Sequence, residues 1–278
     1  MIDEIIELAL KEDIGEGDHT SLSCVPEGAT GHAKLLVKDE GVIAGVELAE
    51  RIFKKYDNNL TIEKHILDGS KVKHGDIVFE LSGPSRSILA TERLVLNFMQ
   101  RMSAIATQTR SVVDLISGTD AYLLDTRKTT PGIRALEKWA VTIGGGYNHR
   151  FGLYDMIMIK DNHIDYAGGI QKAIERANQY IEEKKLKINI EIEVRDEQEL
   201  DQVLEIGKVD RIMLDNFTPE QIKKVLPRIP SQIETEASGG ITPDNIRGYA
   251  ETGVNFISSG ALTHSVNSMD LSLKAVFK

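Results

Sequence analysis

The sequence predicts an α/β protein in which a mixed α+β sandwich precedes a (β/α) barrel. Three observations carry that expectation. From about residue 120 onward, short apolar or β-branched runs alternate with segments whose apolar residues recur at helical spacing. No glycine-rich dinucleotide fingerprint accompanies the alternation, which favours a barrel over a doubly wound sheet. The first 120 residues lack such alternation and read as strands and helices in mixed order.

Taken in order, residues 1–12 form an acidic amphipathic helix, followed by the turn-like GEGDHTS. Strand patterns come next in HAKLLVKDEGVIAG (32–45), then a helix near Glu47–Tyr56, then strands in LTIEKHIL (60–67) and DIVFELSG (76–83). Residues 87–117 carry little turn chemistry and read as one or two long helices. The expected domains are 1–105, the sandwich, and 106–278, the barrel, with the last ~15 residues packing back on the amino-terminal domain.

The barrel strands are AYLLDT (121–126), YDMIMIKD (154–161), INIEIEV (188–194), DRIMLD (210–215), QIETEAS (232–238) and NFISSG (255–260). Helices fall between them at 131–142, 166–184, 196–206, 218–226 and 242–252. Thr130-Pro131, Thr218-Pro219 and Thr242-Pro243 each put a capping Thr before a Pro suited to the first helical position.

Composition narrows the class of function. A chain of 278 residues, 41% hydrophobic, has core enough to fold without staples. The single cysteine, Cys24, has no disulfide partner and no zinc-ligand spacing, so it is expected to be inert packing in a reducing cytoplasm. A formal net charge of −10 argues against a nucleic-acid surface, and no apolar run reaches membrane-spanning length. His32, His65, His74 and His264 show no partner pattern and are expected to be structural or exposed.

Barrel chemistry sits where strands end, and these strands end in polar residues. The first leads into Arg127 and Lys128, the second into Lys160, and the third carries Glu191 and Glu193. Asp215 closes the fourth, Ser238-Gly239-Gly240 follows the fifth and Gly260 the sixth. His149 and Arg150 join from the Gly-rich stretch IGGGYNHR. Arg127, Lys128, Lys160, His149 and Arg150 would form a cationic side suited to carboxylates and phosphates. Glu193 and Asp215 would face them, suited to sugar hydroxyls or Mg2+, and the Ser-Gly turns would give backbone N–H groups to a phosphate. Singly, each feature is commonly a solvated loop edge, a helix cap or a flexible turn; their agreement on one face points to a site for a phosphorylated sugar and a polyanionic partner.

EDIGEGDHTS (12–21), ATERLVLNFMQRMSAIAT (90–107), DTRKTTPGIRALEKWAV (125–141), GGGYNHRFGL (144–153), IKDNH (159–163), MLDNF (213–217) and EASGGI (236–241) together resemble the quinolinate phosphoribosyltransferase family, in order along the chain. The resemblance implies an amino-terminal sandwich with an incomplete (β/α) TIM-like barrel, and a homodimer or dimer-based higher oligomer. It implies transfer of phosphoribosyl from 5-phosphoribosyl-1-pyrophosphate to quinolinate with Mg2+, giving nicotinate mononucleotide, pyrophosphate and CO2, a step of de novo NAD synthesis. By the same resemblance Arg127, Lys128, His149, Arg150 and Lys160 hold the quinolinate carboxylates and pyrophosphate, and Arg93 reaches the neighbouring subunit's active site. Glu193, chosen over Glu191 by its spacing to Asp215, would stand with Asp215 near the ribose, and Ser238, Gly239, Gly240 and Gly260 near the 5-phosphate. Lys128, Lys160, Glu193 and Asp215 are the implied catalytic set, and no metal ligands are assigned because Mg2+ would be held mainly by the pyrophosphate. Ala104 departs from the family's usual Gly in its Ser-Gly-Ile-Ala-Thr run.

Two readings of other kinds remain beside this one. Lys160 at a strand end could be the nucleophile of a Schiff-base aldolase, or the chain could be a non-catalytic anion-binding subunit on the same barrel.

Overall fold

The computed structural model describes residues 1–276. In chain order its elements are α1 (Ile2–Ile14), α2 (His19–Cys24), β1 (Thr30–Val37), β2 (Gly41–Val42), α3 (Val46–Tyr56), β3 (Thr61–Lys64), β4 (Lys71–Val72), β5 (Ile77–Pro84) and α4 (Ser85–Leu115). They continue with β6 (Tyr122–Leu124), α5 (Arg134–Ile143), β7 (Met156–Ile159), α6 (Asp161–Ala167), α7 (Ile170–Lys184), β8 (Asn189–Val194), α8 (Glu197–Ile206), β9 (Arg211–Asp215), α9 (Pro219–Val225), β10 (Glu234–Ser238), α10 (Ile246–Ala250), β11 (Phe256–Ser258), α11 (Ala261–His264) and β12 (Leu271–Ala275).

Two compact units result, and neither is continuous in sequence. The first gathers Met1–Ser111, Thr129–Gly145 and the segment from Ala261 onward. Its antiparallel sheet runs β12-β1-β5-β3, with β12 paired to β1 from Ala33↔Ala275 to Val37↔Leu271. Val46, Ala49, Ile52 and Phe53 of α3 recur at helical spacing and are buried, and Phe53 meets Phe79 of β5 edge to face at 5.9 Å. Cys24 is exposed rather than packed, its Sγ 3.5 Å from Ser23 Oγ, because it ends the short surface helix α2. GEGDHTS leads into that helix: the Asp18 carboxylate accepts from the N–H groups of Thr20 and Ser21 and so caps it.

Helix α5 also corrects an expectation. It starts at Arg134, not at Pro131, since Gly132 takes φ +85° and turns the chain first. Thr130 therefore caps nothing; its N–H donates to Glu137 Oε2 at 3.0 Å, and the buried Glu137 is in turn held by Arg101 at 2.9 Å.

The second unit comprises Val112–Lys128 and Gly146–Gly260. Six strands form one parallel sheet in the order β6-β11-β10-β9-β8-β7. Among the described residues no ladder joins the edge strands β6 and β7, so the barrel is incomplete. The expected 166–184 helix is two, α6 and α7, broken where Gly168 and Gly169 take φ +84° and +120°. Thr218 caps α9 by accepting from Gln221 N–H, as the Thr-Pro pattern predicts. Thr242 does not cap α10: its N–H donates to Asn245 Oδ1 at 2.8 Å in a turn, and Asn245 precedes the helix instead.

Strand alternation sorts the sheet into two faces. Ile190, Ile192 and Val194 share one face of β8, and Ile212 with Leu214 one face of β9, all essentially inaccessible. The opposite face carries Glu191 and Glu193 on β8, Arg211, Met213 and Asp215 on β9, and Glu234, Glu236 and Ser238 on β10. The register aligns these by layer: Glu234↔Arg211, Glu236↔Met213 and Ser238↔Asp215. That polar face is where the candidate site lies.

Candidate active site

Parallel strands bring the expected residues to one edge of the sheet. Arg127 and Lys128 lie just past β6, Lys160 just past β7, Glu193 next to last in β8, Asp215 last in β9 and Ser238 last in β10. Gly239 and Gly240 follow Ser238, and Gly260 follows β11 by two residues. Arg93 belongs to the other unit, exposed on α4, and no ion pair or side-chain hydrogen bond to it is found among the described residues.

The acidic side is tightly coupled. Lys160 Nζ donates to Glu193 Oε2 at 2.6 Å. Asp215 has its carboxyl pushed up from the ordinary range, first by burial and then by the charge of Glu193, against the pull of Asn216 and Lys160. Asn216 Nδ2 donates to Asp215 Oδ2 at 2.7 Å, while its own N–H donates to Ser238 O at 2.8 Å. Asn216 does this in the left-handed region, φ +57°, which Asn tolerates better than most residues. Beside it Gly239 has φ +88°, and a Cβ there would run into the Asn216 side chain. Only glycine fits that turn.

On the cationic side, Arg127 Nε is buried with no hydrogen-bond partner among the described residues. Burial, and then the charge of Arg127, lower the affinity of the Arg150 guanidinium for its proton. Arg150 Nη1 donates to the Met156 carbonyl at 3.3 Å. Two guanidiniums that repel each other, one with an orphaned N–H, form a ready receptor for anions. The Ser238 and Ser258 hydroxyls meet at 3.2 Å at the ends of β10 and β11, beside the Gly239-Gly240 turn.

His149 lies elsewhere than the sequence suggests. It is buried rather than at the mouth, its Nε2 3.0 Å from Glu191 Oε2 and 3.3 Å from Glu236 Oε2. Burial works against a charge on the imidazole, but the two carboxylates outweigh it and lift the group to about 9. The Arg150 N–H, donating to His149 Nδ1 at 2.6 Å, opposes a second ring proton. Glu236 Oε2 also accepts from Arg211 Nη1 at 3.2 Å, and Arg211 reaches on to Glu234 at 2.7 Å. Sequence reasoning missed this buried layer and Asn216, although the alternation in IEIEV and IETEAS and the Asp-Asn pair were visible signals. His149, Glu191 and Glu236 offer three ligand atoms within 4.8 Å of one another, but those atoms are engaged in the ion pairs just described.

Two family models divide the chain between them. The quinolinate phosphoribosyl transferase N-terminal domain matches residues 18–103 and the C-terminal domain residues 105–274. The chain belongs to the quinolinate phosphoribosyltransferase family.

Relatives agree over nearly the full length. A Nicotiana glauca protein named quinolinate phosphoribosyltransferase (decarboxylating) 2, mitochondrial, is 45% identical over 98% of this chain and 81% of its own. The crystal structure of NadC from Streptococcus pyogenes superposes with TM-score 0.92 at 38% identity, over 98% of this chain and 95% of that one. The nicotinate-nucleotide pyrophosphorylase from Francisella tularensis gives TM-score 0.89 at 38% identity, over 99% and 96%. An amino-terminal sheet domain followed by a parallel-sheet α/β domain is thus the fold of this family.

Proposed function

We infer that the chain transfers phosphoribosyl from 5-phosphoribosyl-1-pyrophosphate to quinolinate with loss of CO2, giving nicotinate mononucleotide and pyrophosphate. The observation that carries this reading is the guanidinium pair Arg127, whose buried Nε has no hydrogen-bond partner among the described residues, and Arg150, whose guanidinium is bound among them only to the Met156 carbonyl. The pair suits a dicarboxylate and is set on the same sheet edge as Glu193 and Asp215, which suit a sugar cation.

The chemistry follows from charge. As the bond from the ribose anomeric carbon to pyrophosphate breaks and the bond to the pyridine nitrogen forms, positive charge develops on the ring, and Glu193 and Asp215 stabilise it. Lys128 and Lys160 draw the negative charge of the departing pyrophosphate. The C2 carboxylate then leaves as CO2, its electron pair remaining on C2 beside the positive nitrogen until a proton is taken up. Arg127 and Arg150 hold the carboxylates in position, and the protein supplies orientation and field more than acid-base chemistry. Ser238, Gly239, Gly240 and Gly260 receive the 5-phosphate through N–H and hydroxyl donors.

Hard oxygen donors at Glu193 and Asp215, where the charge of Glu193 helps push the Asp215 carboxyl up, fit a divalent cation. Mg2+, held chiefly by substrate pyrophosphate, would supply charge neutralisation on the leaving group. We further propose a dimer, or an assembly of dimers, in which Arg93 serves the neighbouring active site; its exposed, unpaired guanidinium supports this. A cytoplasmic location belongs to the same reading and is supported by the single free cysteine and by the lack of any helix, among the described residues, long and apolar enough to cross a membrane.

A Schiff-base aldolase needs Lys160 Nζ free to attack a carbonyl, whereas it is tied to Glu193 Oε2 at 2.6 Å. The deciding experiment supplies phosphoribosyl pyrophosphate and Mg2+ with either quinolinate or nicotinate and follows nucleotide formation and CO2 from carboxyl-labelled quinolinate. Turnover of nicotinate, or no CO2 from quinolinate, would sink the reading.

A further inference from the structure

The inner face of a small barrel is ordinarily filled with branched apolar side chains. Here one layer below the strand-end acids is charged instead. Glu191 and Glu236 are both inaccessible to solvent, and the largely buried Arg211 lies against Glu236. Such a layer is a poor device for stability alone, because well-packed apolar residues of similar volume commonly serve as well or better.

What the layer does hold is one imidazole. Three groups of His149 are tied down: its backbone N–H donates to Asp125 Oδ1 at 2.8 Å, its Nε2 makes charge contacts with Glu191 at 3.0 Å and Glu236 at 3.3 Å, and its Nδ1 accepts the Arg150 N–H at 2.6 Å. The ring can neither rotate nor offer a nitrogen to a ligand without giving up the Nδ1 hydrogen bond or the Nε2 charge contacts. Arg150, by contrast, pairs with no carboxylate among the described residues, and its guanidinium donates to the Met156 carbonyl at a long 3.3 Å. Its placement therefore depends on how firmly its backbone is anchored.

We propose that Glu191 and Glu236, with Arg211 behind Glu236, are positioning residues that lock the His149 imidazole, and that His149 Nδ1 in turn fixes the backbone of Arg150 so that its guanidinium meets a substrate carboxylate. His149 is on this account a positioning residue and not a substrate ligand. The proposal rests on the reading of Arg150 as a quinolinate-binding group. An arginine displaced by a fraction of an ångström loses one substrate's affinity and leaves the other's intact.

The test measures KM for quinolinate and for phosphoribosyl pyrophosphate, with melting temperature as a check of folding, in Glu191→Met, Glu191→Gln, His149→Asn, Arg150→Ala and the Glu191→Met/His149→Asn double variant. Glu191→Met is expected to raise quinolinate KM about tenfold while phosphoribosyl pyrophosphate KM stays within about twofold. Glu191→Gln keeps an acceptor for the imidazole and is expected to recover most of the loss. In the His149→Asn background Glu191→Met should add nothing further, since its effect passes through the ring. Should Glu191→Met fail to fold, Glu236→Met and Glu236→Gln make the same comparison. An unchanged quinolinate KM in the Glu191 and Glu236 variants, a parallel rise in both KM values, or full additivity with His149→Asn overturns the proposal. If Arg150→Ala itself leaves quinolinate KM unchanged, the underlying reading of Arg150 falls instead.

Discussion

Lys160 and Glu193 join the ends of neighbouring strands through a 2.6 Å contact, and that contact holds a positive and a negative charge side by side on the edge where the proposed glycosyl transfer would develop opposite charges. Removing either leaves the other facing an unbalanced field. Lys160→Met and Glu193→Gln should each lower kcat about 100-fold. The double variant should fall no further than the worse single one, because the pair acts as a unit. Steady-state nicotinate mononucleotide formation measures this, and simple multiplication of the two losses would show that the residues act separately.

Arg127 has a buried N–H without a hydrogen-bond partner among the described residues, a place where an anionic ligand would gain a contact. Arg127→Ala should weaken quinolinate binding by about 2 kcal/mol or more. Arg127→Lys should restore little, since a point charge cannot reproduce the planar fork. Equilibrium titration with quinolinate is the readout, and equal affinities in the three proteins would remove Arg127 from the pocket.

Asp215 carries the pH dependence. Its carboxyl is raised by burial and by Glu193, so the folded protein binds that proton more tightly than the unfolded chain does. Stability contributed by the protonated form is present at low pH and is lost as pH rises through the raised value. Asp215→Asn should therefore melt higher than the wild type at neutral pH and lose that advantage on acidification below the ordinary Asp range, while turnover collapses. Calorimetry at several pH values tests it; a neutral-pH melting temperature below that of the wild type would contradict the sign.

The turn at Gly239 is constrained both by its positive φ and by the Asn216 side chain beside it. Gly239→Ala should cost about 1–2 kcal/mol of stability from backbone strain. It should also raise the KM for phosphoribosyl pyrophosphate while leaving quinolinate affinity near that of the wild type. Thermal melts and paired KM measurements check the two halves independently.

The proposed service of Arg93 to the neighbouring active site makes a complementation test possible. Arg93→Ala and Lys160→Met homomers should both be impaired, and mixing them through unfolding and refolding should regain activity as hybrid dimers form with one intact site. No recovery in verified hybrids would assign Arg93 to its own chain.

Much of this was legible before the structure. All six parallel strands follow from runs such as IEIEV and RIMLD, because β-branched residues bounded by polar ends leave little choice of element. The common placement of Lys160, Glu193, Asp215 and Ser238 at strand ends was readable from position alone, since parallel strands must end on one edge. Two helix starts were misread for a shared reason: Thr-Pro fits a turn as well as a cap, and Gly132 and Asn245 decided the matter locally. His149 was misplaced because sequence neighbours such as His149 and Arg150 can point to opposite layers, a distinction that needs the partners from β8 and β10. Glu191 was weighed only as an alternative to Glu193 and Glu236 escaped notice, because charged residues are ordinarily assigned to solvent and nothing local announces that a third chain segment will neutralise them.

The pairing of β12 with β1 has a consequence for how the protein is made. Thr30–Val37 leaves the ribosome more than two hundred residues before its partner Leu271–Ala275, with one side of its ladder open. Until then the first unit waits with an exposed strand edge, a template for unwanted partners. Closing that edge joins segments more than two hundred residues apart, so a change that breaks β12 would strike a strand made long before it.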